Sequence, residues 1–593
     1  MSTVSLFVNE AIAMLQKVTE MEVGELTKLL ETPPSVEMGD LAFPCFVLAK
    51  SWRRAPQQIA AELCSRISEH PDYAHIHVTA AGAYVNMYWD RTISSTALLE
   101  RIADQQHYQL QVGGGQRIII DMSSPNIAKP FGVGHLRSTV IGAALYRMYR
   151  AAGYEALRVN HIGDWGTQFG KQITAHLRWS DPLQMEQNPI GEALRVYIKF
   201  HDEAAEHPEL EDEARDWFRK LESGDPQALE LWRYFVDVSM ASLDRMYERL
   251  GVEFDAVLGE SFYNDKMPAV VDRLRELDLL EESDGALVVR LDEQDMPPCL
   301  IIKSDGTTIY PTRDLATAIY RKEVMHGDRL VYVVGGEQAL HFRQVFAVLR
   351  KMGYSWAEDC IHVPFGLMKV NGKKMSTRKG KVIFLEEVLD EAVQQAARII
   401  EEKNPSLPDK QEVARQVGVG AIIFNDLKNN RQNEIDFSLE EAVSFEGETG
   451  PYVQYAYARI QSILRRVEQN NESAEQPTGE EVAQQSASEA VEPSDSSAAV
   501  EEPSGWTDTA WELLCHLAGY DSELERAVRL HEPSIMARYA LQTARLFNQF
   551  YSHNRILDCP PAWREQRLQL SRQTGEYLAR LMELLGMQAP QQM

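Results

Sequence analysis

The sequence predicts a three-part α/β protein built around a parallel β-sheet. From Arg117 onward, short apolar runs alternate with helix-like segments, which is typical of parallel strands joined by helices. The chain before this region has a mixed α+β pattern, and the chain after about residue 385 is almost entirely helical. A chain of 593 residues is also too long for a single hydrophobic core. We therefore expect an α+β module at 1–112, a parallel-sheet domain at 113–385 and an all-α domain at 386–593.

The first module combines a long helical pattern with two strands. Apolar residues recur at helical spacing from Val4 to Leu30. The segments Ile76–Thr79 and Tyr84–Tyr88 have strand character and are separated at Ala80-Ala81-Gly82. The run Gly113-Gly114-Gly115 is a flexible boundary before the next domain.

Four segments of the second domain are candidates for the parallel sheet. They are 117–122, 156–160, 330–334 and 360–367. Helices are expected after the first strand, from Thr139 to Met148, and after the third, from Gln338 to Met352. Long charged helices at about 175–290 interrupt the alternation, and we interpret them as a helical insertion between two halves of a nucleotide-binding fold.

The helical domain contains an acidic segment that does not resemble a folded element. Residues 468–505 hold ten acidic side chains and no lysine or arginine. A segment of this kind buries too little apolar surface to fold, so we expect a disordered loop at 469–505. A functional acidic segment is the alternative interpretation.

Charge and cysteine spacing limit the classes of function. A formal net charge of −28 argues against a protein that binds nucleic acid over its whole surface, and DNA is not an expected partner. Any polyanion must therefore bind at local basic patches. The candidates are Lys373-Lys374 with the basic residues that follow, and Arg465-Arg466. No two of the six cysteines lie within four residues, so zinc is disfavoured and reduced thiols in a cytoplasmic protein are expected. We expect no signal peptide and no membrane partner.

The segment Ser123–Ser138 is the most informative in the chain. It follows the apolar run Ile118-Ile119-Ile120 and leads into a helix. Backbone N–H groups at a helix start, together with the helix dipole, form an anion site. Gly132 and Gly134 would let a triphosphate approach the backbone, and His135 would add an imidazole donor. For an isolated Gly-x-His, a helix-capping histidine without a ligand is the better interpretation.

A second motif lies at Gly372–Gly380. Five cationic side chains fall between Lys373 and Lys381 in a loop flanked by glycines. Such a loop can close over the β- and γ-phosphates of a nucleotide and neutralise charge in the transition state. Alone it would more often be a solvated basic surface, but the pairing with the first motif favours ATP binding.

These two motifs and three further segments resemble one family. Ser-Ser-Pro-Asn-Ile-Ala-Lys-Pro-Phe at 123–131, Asn-His-Ile-Gly-Asp-Trp-Gly-Thr-Gln-Phe-Gly at 160–170, Thr-Ile-Tyr-Pro-Thr-Arg-Asp at 308–314 and Met-Ser-Thr-Arg-Lys-Gly at 375–380 carry the resemblance. So does the ending Leu-Leu-Gly-Met-Gln-Ala-Pro at 584–590. The chain is similar over nearly its whole length to class I aminoacyl-tRNA synthetases, and most closely to the arginyl-tRNA synthetases.

The resemblance implies a fold, a reaction and its substrates. The fold would be a Rossmann-type catalytic domain with a helical anticodon-binding domain. ATP, with its accompanying Mg²⁺, would activate L-arginine to arginyl-adenylate, and the 3′ adenosine of tRNA(Arg) would take the arginyl group. Members of this family need tRNA for activation, and we expect a cytoplasmic monomer.

The resemblance also assigns residues. Those implied in arginine binding are Asp121, Ser124, Asn126, Tyr310, Asp314 and Gln338. Those implied in ATP binding are Gly132, Gly134, His135, Met375 and Ser376. Catalytic roles are implied for His135, Lys129, Lys374, Arg378 and Lys379. His161 and Gln168 are expected near the adenosine or the tRNA end. Contacts to tRNA are implied for Asn86, Tyr455, Asn548, Tyr551 and Met593, although helix packing is the alternative for the two tyrosines.

Two positions depart from the family pattern. Gly132 stands where the signature has its first histidine, and Thr377 stands where the typical loop has its second lysine. Lys129 matches a lysine that is thought to compensate in this family. The departures leave two alternatives open: a non-catalytic tRNA-binding paralogue, and another class I synthetase or a nucleotidylyltransferase.

Overall fold

The computed structural model of the chain describes residues 5–104, 109–127, 131–304, 309–370, 373–374, 384–474 and 506–593. Its first module packs five helices against a three-stranded antiparallel sheet of order β1-β3-β2. The strands are β1 (Leu41–Pro44), β2 (Ile76–Ala81) and β3 (Tyr84–Trp89), and the helices are α1 (Ser5–Thr19), α2 (Val23–Leu29), α3 (Ala49–Trp52), α4 (Pro56–Ser68) and α5 (Arg91–Ala103). The prediction of one helix from Val4 to Leu30 is wrong, because the backbone turns left-handed at Glu20 (φ 60°) and a second helix follows.

The second domain is organised by a five-stranded parallel sheet, as the alternating pattern predicts. Its strands are β4 (Arg117–Asp121), β5 (Glu155–Asn160), β6 (Ala256–Val257), β10 (Arg329–Gly335) and β11 (Cys360–Phe365), in the order β11-β10-β4-β5-β6. Helices α6 (Val133–Ala151), α7 (Thr167–Trp179), α13 (Tyr310–Glu323) and α14 (Ala339–Lys351) connect or follow these strands. Ile118, Ile119 and Ile120 of the central strand are buried between the helical layers. All four predicted strands and both predicted helices are therefore present, although α6 begins at Val133 and so includes His135.

The insertion is not entirely helical, which corrects the prediction for 175–290. Its helices are α8 (Pro182–Gln187), α9 (Pro189–Glu206), α10 (Glu209–Glu222), α11 (Pro226–Leu250) and α12 (Met267–Glu276). Within this range β6 returns to the parallel sheet beside β5. Strands β7 (Glu281–Ser283), β8 (Ala286–Val289) and β9 (Cys299–Ile302) then form a separate antiparallel sheet.

The last domain is helical except for one short strand. Its helices are α15 (Leu385–Lys403), α16 (Lys410–Leu427), α17 (Leu439–Ala442), α18 (Gly450–Ala474), α19 (Asp508–Ala518), α20 (Tyr520–Leu530), α21 (Ser534–His553) and α22 (Pro561–Leu585). Strand β14 (Ile435–Phe437) pairs in parallel with β12 (Met368–Val370), which also pairs with β13 (Lys373–Lys374). Hydrogen bonding therefore links the chain on both sides of the predicted boundary at 385, and the boundaries at 112 and 385 stay predictions.

The start of the predicted disordered loop at 469–505 is wrong. Helix α18 continues to Ala474, so residues 469–474 are helical, and residues 475–505 lie outside the described ranges. No helix in the described ranges combines the length and the apolar character that crossing a membrane requires.

Candidate active site and tRNA interface

The turn between β4 and α6 places His135 at the first turn of a helix. Gly132 is the N-cap, and its backbone N–H donates to Nδ1 of His135 across 3.2 Å. Because Nδ1 accepts this hydrogen bond, the hydrogen of a neutral imidazole lies on Nε2. The Phe131 ring packs against the imidazole at a centroid distance of 5.3 Å. His135 therefore has the capping role that the sequence left open as an alternative to ligand binding. The same hydrogen bond leaves Nε2 as the ring nitrogen that can donate to a ligand.

The first turn of α6 is open to a ligand at Gly134. A side chain at this position would meet no other heavy atom within 4 Å, and Gly134 is exposed. The N–H groups of the first helical turn have no partners within the helix and carry the positive end of its dipole. The turn can therefore accept an anion at the carboxyl edge of the sheet, where ligands bind in open parallel sheets.

Residues on both sides of the predicted basic loop are held by β-pairing. On one side, β13 ends at Lys374 and is paired with β12. On the other, Phe384 forms a β-bridge with Gly132, and the N–H of Leu385 donates to the carbonyl of Phe131 across 3.0 Å. The second of these pairings places Phe384 and Leu385 beside the N-terminus of α6. Met375, Ser376, Arg378 and Lys379, and also Lys129, lie outside the described residues.

All six residues that the resemblance implies in arginine binding line one cavity of about 410 Å³. One is the last residue of β4, two lie in the segment that follows it, two lie at the start of α13 and one directly precedes α14. They are Asp121, Ser124, Asn126, Tyr310, Asp314 and Gln338. Residues more than 200 positions apart in sequence meet here because β4 and β10 are neighbouring parallel strands. The fold brings the set together, while the role of each residue stays a prediction.

The acidic residues of the cavity each have a basic partner. Asp121 Oδ2 lies 2.8 Å from a guanidinium nitrogen of the buried Arg321, and its Oδ1 accepts from the Ser124 hydroxyl across 2.8 Å. The Asp314 carboxylate contacts Nε2 of His341. Tyr310 is 60% exposed and lines the same cavity. Asp121 is therefore well placed to hold Ser124, and Asp314 retains lone pairs that face the cavity.

The sequence analysis missed Glu260, a further carboxylate that lines the cavity. Its Oε2 accepts from Nη1 of Arg313 across 2.9 Å. Burial raises the pKa of Glu260 to about 7, and the charges of Asp314 and Asp164 act in the same direction while Arg313 opposes them. Glu260 follows β6, so the rule that ligands bind at strand ends would have found it, had β6 been recognised inside the insertion.

His161 lies at the same cavity rather than at a separate adenosine site. Its Nδ1 is 3.0 Å from the carbonyl of Leu258, and its ring packs against Tyr263. Burial lowers the pKa of His161, so its neutral form is favoured. The expectation that His161 serves the adenosine or the tRNA end is therefore not favoured by its position beside Asp121 and Glu260.

A second cavity, of about 450 Å³, gathers the residues implied in reading the anticodon. Tyr455, Tyr551 and Met593 line it together with the basic pair Arg465-Arg466. The two tyrosines are 38% and 41% exposed, so helix packing alone does not account for them. The guanidinium carbon of Arg459 lies 4.9 Å from the centre of the Tyr455 ring and 5.5 Å from the centre of the Tyr551 ring. Arg459 also donates to the Asn548 side chain across 2.8 Å, which ties the fourth implied residue to the same surface.

Asn86 is less accessible than a base-reading residue would be. It lies in β3, the central strand of the first sheet, and is only 9% exposed. The contact to the D-loop of tRNA stays a prediction that this burial does not favour.

Family comparison agrees with the fold and the site. Residues 97–439 match the family described as tRNA synthetases class I (R), catalytic domain. Residues 7–89 match the arginyl tRNA synthetase N terminal domain, and residues 453–593 match the DALR anticodon binding domain. The chain is therefore a class I aminoacyl-tRNA synthetase. This class follows from the parallel sheet, the turn that carries His135 and the three family matches.

Similar proteins narrow the class. The chain is 48% identical over 575 residues to an arginine–tRNA ligase of Streptococcus suis, with 97% of each chain covered. It is 47% identical over 597 residues to one of Streptococcus pneumoniae, with both chains fully covered. The arginyl-tRNA synthetase structure of Thermus thermophilus matches with a TM-score of 0.76 at 27% identity, covering 98% of this chain and 99% of that one. The chain belongs to the arginyl-tRNA synthetase family.

Proposed function

We propose that this chain attaches L-arginine to the 3′ adenosine of tRNA(Arg) in two steps, with ATP as the energy source. The observation that carries the proposal is the convergence of the six implied arginine-binding residues on one cavity, beside the turn that holds His135. Membership of the arginyl-tRNA synthetase family supports the same reaction. A cavity of about 410 Å³ is also of the size that small-molecule sites have.

The cavity suits a guanidinium because its acceptors are carboxylates. A guanidinium is planar and presents only donors, and it pairs best with carboxylates that can take two parallel hydrogen bonds. Asp314 and Glu260 lie at the same cavity, and Tyr310 lies at its entrance. The carboxylates would bind the side chain, while Ser124, Asn126 and Gln338 would hold the amino and carboxylate ends. Lysine would bind worse, because its ammonium is a point charge without the planar fork.

Activation needs positioning and charge stabilisation rather than a covalent enzyme intermediate. A carboxylate oxygen of arginine attacks the α-phosphorus of ATP, and the bond to the pyrophosphate oxygen breaks. The Nε2–H of His135 and the N–H groups at the start of α6 would donate to the phosphate oxygens as negative charge develops. Lys374, Arg378 and Lys379 of the anchored loop, with Lys129, would neutralise the leaving pyrophosphate. The Mg²⁺ that accompanies ATP enters with the substrate.

Transfer completes the reaction. A ribose hydroxyl of the terminal adenosine attacks the activated carbonyl of arginyl-adenylate, and AMP leaves. The cavity around Arg459 would receive the anticodon loop, because unpaired bases stack on aromatic rings such as Tyr455 and Tyr551. Bound tRNA would be required for activation. The family resemblance favours a monomer, and the six cysteines are free thiols, which suits a cytoplasmic protein.

The test is aminoacylation of tRNA(Arg) with each of the twenty amino acids, together with ATP–pyrophosphate exchange with and without tRNA. We expect charging with arginine alone and exchange only when tRNA is present. Asp314→Asn should raise the arginine KM while Asp328→Asn, on a carboxylate outside the cavity, should not. Charging with another amino acid, or no exchange under any condition, would overturn the proposal.

A further inference from the structure

Ser124, which lines the cavity, and the preceding Ser123 have an unfavourable backbone conformation. Ser123 and Ser124 have φ angles of 71° and 50°, in the left-handed region that side chains other than glycine rarely adopt. Strained residues of this kind persist only when the surrounding structure holds them, and they concentrate at functional sites. Ser124 lines the cavity, and Asn126 follows two residues later. Whatever holds this turn therefore sets the positions of two implied arginine-binding side chains.

The side chain that holds the turn comes from the insertion. Tyr247, near the end of α11, is buried, and its phenol oxygen lies 2.9 Å from the Ser123 Oγ. The same oxygen accepts from the Nδ2 of Asn160 across 3.0 Å. Asn160 in turn uses its Oδ1 to accept from the backbone N–H of Ser124, at 3.2 Å. The phenol thus contacts the first serine directly and the second through one amide.

Hydrogen counting gives the direction of these bonds. Asn160 Nδ2 can only donate, so the Tyr247 hydrogen has Ser123 Oγ as its acceptor. Ser123 Oγ lies 2.8 Å from Thr139 Oγ1, which is also 2.8 Å from the carbonyl of His135, a group that can only accept. The Thr139 hydroxyl donates to Ser123 Oγ or to the His135 carbonyl, so Ser123 Oγ accepts from Tyr247 and lies within reach of a second donor. Burial raises the pKa of Tyr247 to about 12, so the phenol keeps its hydrogen at neutral pH.

We propose that Tyr247 is a positioning residue for arginine, which fixes the Asn160 amide and the strained Ser123-Ser124 turn from the insertion. The amide has two orientations, and only the one with Nδ2 toward the phenol leaves Oδ1 for the Ser124 N–H. Without the phenol oxygen, Asn160 Nδ2 loses the acceptor that it has in this orientation. Ser123 Oγ also loses a donor, in a site where unmatched polar groups are unfavourable. The proposal rests on the assignment of this cavity to arginine.

The test replaces one oxygen atom. Tyr247→Phe should raise the arginine KM about tenfold in ATP–pyrophosphate exchange with saturating tRNA, while the tRNA KM stays within twofold. The matched control is Tyr149→Phe, which removes the hydroxyl of another buried tyrosine, 2.6 Å from Nδ1 of His531 and away from the cavity. A role in stability alone would lower the melting temperature in both variants and leave both arginine KM values unchanged.

Two further variants make the outcome unambiguous. Thr139→Val removes the hydroxyl that can donate to Ser123 Oγ, with little change of shape, so it should raise the arginine KM about threefold and serves if Tyr247→Phe does not fold. Asp314→Asn reports on the cavity itself. The role of Tyr247 is overturned if Tyr247→Phe has the arginine KM of wild type within error while Asp314→Asn has a raised one. Where Tyr247→Phe does not fold, the same criterion applies to Thr139→Val. An unchanged value in Asp314→Asn would instead overturn the assignment of the cavity, and with it this proposal.

Discussion

Arginine binding should weaken as the pH falls from 8 to 6, because Glu260 titrates in this range. Burial raises the pKa of Glu260 to about 7, with Arg313, Asp314 and Asp164 as the charges that act on it. A protonated carboxyl group gives up much of its attraction for a guanidinium, whereas the arginine side chain stays protonated throughout. The fraction of free enzyme able to bind arginine well is therefore the fraction with Glu260 ionised.

The expected magnitude follows from that fraction. With a pKa near 7, roughly 0.9 of Glu260 is ionised at pH 8 and roughly 0.1 at pH 6. Because the apparent dissociation constant is the intrinsic one divided by the competent fraction, the arginine KM should rise about tenfold between these pH values. The contribution of Glu260 to folding stability moves the other way. A glutamate whose folded pKa is raised opposes folding increasingly as the pH rises from its ordinary value through about 7, so the titration of Glu260 does not itself destabilise the fold at pH 6.

The assay is ATP–pyrophosphate exchange at pH 6, 7 and 8 and constant ionic strength, with tRNA saturating. The ATP KM measured in the same series is the internal control. Glu260→Gln should have a high arginine KM that no longer depends on pH over this range. A wild-type arginine KM that is flat from pH 6 to 8, or a Glu260→Gln variant with the wild-type profile, would refute the reasoning.

Three further predictions concern other parts of the molecule. Lys129→Ala should lower kcat for pyrophosphate exchange more than it raises the tRNA KM, and exchange at the wild-type rate would contradict a compensating role for this lysine. Arg137→Lys should destabilise the protein by roughly 1–3 kcal/mol, seen as a lower midpoint in thermal unfolding. The buried guanidinium donates to four acceptors, Asp426 and the carbonyls of Gly366, Arg431 and Asn433, whereas a lysine ammonium has three hydrogens and leaves at least one acceptor unmatched. An unchanged midpoint would refute that count. Tyr455→Ala should weaken tRNA binding by about 1–3 kcal/mol, measured as a higher tRNA KM with the arginine KM unchanged; an unchanged tRNA KM would remove Tyr455 from the tRNA interface.

Local signals in the sequence were sufficient for the parallel sheet and for the two motifs. The apolar run before Ser123 and the helix after it are short-range patterns, and the structure places a strand and a helix there. The helix break at Glu20 was missed because apolar spacing continues across it, and spacing does not report a left-handed residue. Strand β6 was missed because two residues between long helices carry too little pattern, and Glu260 was missed with it.

The sequence by itself determined the fold class and the family, because each rests on residue types at fixed short spacings. The family resemblance also implied six of the residues that line the cavity, but not Glu260. Only the tertiary structure decided which groups those residues meet. Arg321 pairs with Asp121 from 200 positions away, and Tyr247 reaches Ser123 from a helix of the insertion. Such partners are chosen by the packing of distant elements, where a buried polar group must find a match, and no local pattern encodes that choice. The physical reason is that hydrogen bonding and burial act through space, whereas spacing in a sequence records only neighbours along the chain.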